Sequence, residues 1–210
     1  HYATNIHITE KGMDYLEDYV KQVREVAGYE VPLAIDHFGH VAIEDCIKFA
    51  KRLEKYNIAW IEDIAPWHYT KHYEKIAHAC NVPICTGEDI YLAENFEPLM
   101  KCGGVSVIHP DMLTVGGAME MKKLGNMCDK YGVAMAIHMA ESPIACMAAI
   151  HTAAALQNVR DGKDRTHPNL EIKELYLYDM VVRGDRMYRK SLQDAIDGQR
   201  FAREKLTNAL

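Results

Sequence analysis

The stretch Val82-Pro83-Ile84-Cys85-Thr86-Gly87-Glu88-Asp89 decides the fold. Apolar and β-branched residues bounded by turn formers signal a short buried strand. This one ends on a glycine followed by a carboxylate, Glu88. Stepping back 26 residues reaches Glu62, at the end of Asn57-Ile58-Ala59-Trp60-Ile61, and 26 more reaches Asp36, at the end of Val31-Pro32-Leu33-Ala34-Ile35. Three apolar strands that each finish in a carboxylate at one fixed period are a pattern, not scattered surface acids.

Working outward, the same alternation extends in both directions. Leu16, Val20, Val23 and Val26 recur at helical spacing before Gly28, and a second amphipathic helix is expected over 41–56. A loop with Pro66 and Trp67 leads into a helix ending near Ala79, and Leu92 to Met100 reads as another. Val105 to His109 and Val133 to Ile137 are two more strands, separated by a helix that Gly116-Gly117 opens and Gly132 stops. Ser142 to Leu156 is an alanine-rich helix. Five strands, each followed by a helix, mean parallel strands with crossover helices. No GxGxxG follows any strand, which removes the nucleotide-binding version of an open sheet. Strand ends bearing Asp36, Glu62, Glu88, Asp111 and His138 favour a (β/α)8 barrel, where chemistry gathers on the C-terminal rim. A full barrel takes about 250 residues, so 210 residues with no strand before residue 31 predict one that is incomplete. Beyond Asn158 the pattern fades: 159–168 reads as a loop, Leu170–Tyr178 as a possible strand and Ser191–Leu206 as a terminal helix.

Composition sets the class. With 49% hydrophobic residues and a net charge of -6, the chain reads as an ordinary globular protein. No Lys/Arg cluster supplies a nucleic-acid footprint. Six cysteines without a CxxC pair suggest reduced core thiols in a cytoplasmic protein. No apolar run approaches the ~20 residues of a membrane span. His1 and His7, in the polar opening segment, are expected to be solvated.

Carboxylates on three adjacent strand ends are hard oxygen ligands of the kind that suits Mg²⁺. Taken singly, each also reads as a solvated loop acid. Asp111 and His138 form a second pair, in which the carboxylate fixes the tautomer of the imidazole and raises its basicity for general-base work.

The succession IleAsp at 35–36, IleGluAsp at 61–63, ThrGlyGluAsp at 86–89, IHPDMLTVGG at 108–117 and AIHMAESPI at 136–144 resembles the mandelate racemase/muconate lactonizing enzyme subgroup of the enolase superfamily. The match runs over about residues 12–158, with 159–210 a divergent tail. The resemblance implies that Asp36, Glu62 and Glu88 bind Mg²⁺ and that His138, paired with Asp111, removes the proton α to a substrate carboxylate. Within the subgroup the chain is most similar to sugar-acid dehydratases, which implies a hydroxylated sugar acid as substrate and a homo-oligomer as the assembly. Several such enzymes carry an acid histidine two residues after the first metal ligand. Here that position is Phe38, and His37 and His40 are the candidates, although strand alternation points His37 away. His109, two residues before Asp111, shares its side and is expected to pack. Trp67 is a candidate substrate contact. Family members place a glutamate about 25 residues beyond the base histidine; Lys163 stands there in this chain, and Glu174 would replace it only with an insertion. The family's capping domain and first two barrel strands have no counterpart before residue 12. Two readings therefore follow: an Mg²⁺-dependent lyase, with racemisation or epimerisation as variants, or a non-catalytic remnant that retains the metal site.

Overall fold

The computed structural model describes residues 6–36, 39–140 and 142–156. Helix α1 (Glu10–Ala27) starts at Thr9, whose hydroxyl accepts the Gly12 amide, and stops at Gly28 in a positive-φ conformation (φ 73°). Strand β1 (Leu33–Asp36) is followed by α2 (Ile43–Leu53), β2 (Ile58–Glu62), α3 (Thr70–Ala79), β3 (Ile84–Thr86) and α4 (Glu97–Lys101). Strand β4 (Val107–Ile108), α5 (Ala118–Tyr131), β5 (Ala134–Met135) and α6 (Pro143–Ala154) complete the set. The strands form one parallel sheet in the order β1-β2-β3-β4-β5. Among the described residues this sheet is an open arc rather than a closed barrel. Chain order equals spatial order, as it must when every crossover helix steps to the next strand on one side.

The elements are those the periodicities predict, but shorter at the edges. The 57–62 and 105–109 strands contract to Ile58–Glu62 and Val107–Ile108, and the 41–56 helix closes in a 3₁₀ turn over Glu54–Tyr56. The Leu92–Met100 segment is a 3₁₀ turn at Ala93–Phe96 leading into α4, where Pro98 sits in the first turn and its missing N–H costs nothing. The 170–178 strand and 191–206 helix lie outside the described residues.

Strand alternation gives the sheet two unlike faces. On one face Ile61, Ile84, Ile108 and Met135 pack against Phe49, Leu53, Tyr73, Ile76, Leu99 and Leu124 of the helices. Each fully buried aliphatic chain there contributes about 1.5–3 kcal/mol by removal from water. The other face carries a small separate cluster of Trp60, Cys85, Val107 and Ala136. Glu62 and His109 follow Trp60 and Val107 at the same parity, so the polar groups of the rim stand directly on this inner layer.

Gly87 lets the rim close. Its φ is 148°, and a Cβ there would lie 2.8 Å from Phe96 Cε1 and 3.0 Å from the His109 backbone. Gly87→Ala is therefore expected to destabilise the fold by about 1–3 kcal/mol through overpacking against backbone that cannot yield. A urea melt within ~0.5 kcal/mol of the parent would show that the β3–β4 approach is more pliable than it looks.

Candidate active site and metal centre

All the strand-end groups within the described residues fall on one rim, because parallel strands present their C-terminal ends together. Asp36 and Glu62 are register partners on β1 and β2. An isolated parallel bridge between Asp111 and His138 prolongs the β4–β5 pairing by three residues. That bridge sets the two side chains next to each other.

His138 sits between two carboxylates. Its Nδ1 is 3.0 Å from Asp111 Oδ2 and its Nε2 is 2.9 Å from Glu88 Oε2. Asp111 is buried, and its other oxygen accepts the amides of Leu113 at 2.8 Å and Thr114 at 3.1 Å. Burial works against the Asp111 charge, but the hydrogen bonds from His138 and those two amides outweigh it and hold the carboxyl below its usual range. An ionised Asp111 can only accept, so Nδ1 of His138 carries the proton it donates. The Glu88 contact then needs a second proton, on Nε2 or on the carboxyl. Burial, with Glu62 and Asp36 nearby, raises the Glu88 pKa against the opposing pull of His138.

Glu62 is the most firmly held ligand candidate. Trp60 Nε1 donates to its Oε2 at 2.9 Å, and His109 Nδ1 lies 2.5 Å from its Oε1. Burial opposes its charge, yet those two donors keep its carboxyl below the ordinary value. His109 packs inside as its position suggested, 2% exposed and edge-on to the Trp60 ring at 6.1 Å and the His138 ring at 5.3 Å, and it also orients Glu62. Parity was the available signal, since Trp60 precedes Glu62 by two residues as His109 precedes Asp111. Asp63 was also missed. Its oxygen lies within 4.8 Å of those of Asp36 and Glu62, while its Oδ1 accepts from Thr86 Oγ1 at 2.6 Å. Burial, against the Thr86 hydrogen bond and with the Glu62, Glu88 and Asp36 charges behind it, pushes the Asp63 carboxyl up to about 7.

The donors fit a hard divalent cation. The carboxylate oxygens within 4.8 Å of one another are those of Asp36, Glu62 and Asp63, whereas Glu88, expected as the third ligand, is turned to His138 on the same rim; the mutual repulsion seen in the raised Glu88 and Asp63 values is what a cation would relieve. Cys85 is no ligand for such an ion, because a soft sulfur does not suit a hard cation; with no ion bound, burial and the surrounding carboxylates keep its thiol protonated.

Other candidates fall elsewhere. Trp67 is half-buried against the helix-side core, with its ring edge-on to His68 at 5.7 Å. His40 is exposed, and its carbonyl accepts the Ile6 amide at 3.2 Å. His37 and Glu174 lie outside the described residues. His7, expected to be merely solvated, is exposed but places Nδ1 3.0 Å from Asp45 Oδ2. None of the six cysteines forms a disulfide among the described residues, and no described helix is long and apolar enough to cross a membrane.

Similarity to known structures follows the same residues. One similar structure is a mandelate racemase/muconate lactonizing enzyme-like protein from Rubrobacter xylanophilus, 29% identical with a TM-score of 0.71 over 75% of this chain and 39% of that one. The 3,6-anhydro-D-galactonate cycloisomerase from Zobellia galactanivorans is 27% identical with a TM-score of 0.66, covering 70% of this chain and 42% of that one. A dehydratase candidate from Mesorhizobium loti is 26% identical with a TM-score of 0.69, over 71% and 40% of the two chains. The chain therefore spans about two fifths of the length of these structures. Residues 2–192 match the family described as enolase C-terminal domain-like, and the chain belongs to that family.

Proposed function

We propose that this chain carries the base and cation ligands of an enzyme that removes the proton α to the carboxylate of a hydroxylated sugar acid and then expels the β-hydroxyl as water. The observation that carries the reading is His138, hydrogen-bonded through Nδ1 to buried Asp111 and facing the carboxylate rim through Nε2. With Nδ1 committed to donation, Nε2 is the nitrogen left to accept a proton. Asp36, Glu62 and Glu88 would hold Mg²⁺, which would supply positive charge to offset the dianion that forms when so weak a carbon acid ionises. Trp60 and His109 hold Glu62 in one orientation throughout. His138 accepts the α-proton at Nε2, and the departing hydroxyl must receive a proton from an acid, a role for which no side chain is assigned among the described residues of the rim.

The similarity to the anhydrogalactonate cycloisomerase favours a variant in which the β-leaving group is a ring oxygen rather than a hydroxyl. Both begin with the same α-deprotonation. Product analysis on aldonic, aldaric and anhydro sugar acids with Mg²⁺ separates them: a keto-acid formed with loss of water supports dehydration, and an isomer of unchanged mass supports cycloisomerisation. No turnover and no solvent exchange of the α-proton on any of these would sink the reading.

The metal assignment has its own check. Asp36→Asn is expected to weaken Mg²⁺ at least about tenfold in calorimetric titration, since one of three anionic ligands is lost. Acidification should weaken the parent as well, because the Glu88 carboxyl, held above its usual range, must give up its proton to bind. Unchanged affinity in Asp36→Asn would move the cation elsewhere.

A further inference from the structure

The inner face of the sheet holds a second set of donors, of which the Mg²⁺ reading uses only Glu62. Cys85 Sγ, a His109 ring nitrogen and a Glu62 carboxylate oxygen all lie within 4.8 Å of one another, and all three residues are buried. They come from neighbouring strand ends. Glu62 and Cys85 are register partners across β2 and β3, and the His109 amide bonds the Thr86 carbonyl at 2.9 Å across β3 and β4. Strand pairing, rather than side-chain flexibility, has brought them together.

A sulfur, an imidazole nitrogen and a carboxylate oxygen are the wrong donors for Mg²⁺ and the right ones for zinc, which takes S, N and O at about 2.0–2.3 Å. Donors at those bond lengths stand less than about 4 Å apart in a tetrahedral site, so the cluster needs only small side-chain adjustments to close on an ion. The charges also balance. Binding would release the Cys85 thiol proton, while the single N–H of a neutral His109 would sit on whichever ring nitrogen does not meet the ion, leaving a thiolate and a carboxylate to neutralise a divalent cation. A neutral assembly suits a buried position beneath Trp60, where an uncompensated charge would be costly.

We propose that Glu62, Cys85 and His109 form a binding site for a thiophilic divalent cation, Zn²⁺ in particular. Because Glu62 belongs to both sets, occupation of this site competes with Mg²⁺; that second statement rests on the metal assignment made above, whereas the first does not.

Co²⁺ is the probe, because cobalt–thiolate bonding produces an intense near-ultraviolet charge-transfer band that oxygen or nitrogen ligands alone do not give. The protein titrated with Co²⁺ is expected to develop this band with one equivalent and to lose it on adding one equivalent of Zn²⁺. Cys85→Ser, nearly isosteric, should abolish it, and His109→Gln should weaken Co²⁺ binding at least about tenfold. Asp36→Asn, which touches only the oxygen set, should keep the band. Circular dichroism of Cys85→Ser and of a second variant, Cys85→Ala, guards against loss through unfolding. Absence of the band in the parent overturns the site, and so does its survival in folded Cys85→Ser, since one of the other five cysteines would then hold the ion. Mg²⁺ is expected to raise the apparent Zn²⁺ dissociation constant. An intact cobalt band with no Mg²⁺ effect, in protein shown calorimetrically to bind Mg²⁺, overturns the shared role of Glu62.

Discussion

Replacing His138 by asparagine is expected to slow exchange of the substrate α-proton with deuterated solvent by roughly 10²–10⁴-fold, the usual contribution of a positioned general base. The reasoning rests on geometry. Asparagine keeps approximate size and a donor for Asp111 Oδ2, and the Leu113 and Thr114 amides still satisfy the other oxygen of that buried carboxylate. What disappears is the basic nitrogen facing the carboxylate rim, now 2.9 Å from Glu88. Mg²⁺ affinity should change little, because Asp36, Glu62 and Glu88 all remain. Exchange is a sharper readout than turnover, since it reports proton abstraction even where no product forms. Parental exchange in His138→Asn would assign the base to another residue, and a collapse of Mg²⁺ affinity instead would make His138 a support for Glu88 rather than the base.

Much of this arrangement is legible in the chain because the relevant information is local. A strand is announced by a few apolar residues, and in a parallel sheet its C-terminal end always meets the rim. Spacing alone therefore brings Asp36, Glu62, Glu88, Asp111 and His138 to one rim. What spacing does not carry is the partner of each group. Glu88 faces His138 rather than joining Asp36 and Glu62 in one tight cluster, and Asp63 occupies that place. That choice depends on the left-handed turn at Asp63 (φ 46°) and on the Thr86 hydroxyl, which reaches it from the next strand. His109 has a bond to Glu62 that escaped the sequence for a related reason. Its parity put it inside the sheet, but only the three-dimensional neighbourhood shows that the inner layer ends at Glu62, which gives a buried imidazole something to bond. The inner layer itself, Trp60 with Cys85 and Val107, consists of ordinary strand residues whose distinction comes from facing away from the helices.

The buried guanidinium of Arg24 is the element that sequence pattern hides most completely, and its loss is expected to be the most damaging to stability. It is a charged residue on the buried face of an amphipathic helix, one turn after Val20, and it is 2% exposed. Arg24 Nε donates to Tyr56 O at 2.9 Å and Nη2 to Asn57 O at 2.9 Å, while Nη1 reaches Gly28 O at 2.9 Å and Val31 O at 2.6 Å. One side chain thus satisfies carbonyls from the end of α1, the approach to β1 and the turn into β2. Burial lowers its pKa, but a guanidinium remains charged at any ordinary pH. Arg24→Met keeps the aliphatic stem and packing while leaving four carbonyls without this donor. At about 1–3 kcal/mol for each buried acceptor left unsatisfied, and with water able to reach some of them, a loss of roughly 4 kcal/mol is expected. Arg24→Lys should recover only part of it, because three ammonium donors on one nitrogen cannot reproduce the planar fork. The turns released are those that aim β1 and β2, so Mg²⁺ affinity should fall along with the urea midpoint. A methionine variant within ~1 kcal/mol of the parent would mean that water replaces the guanidinium at these carbonyls.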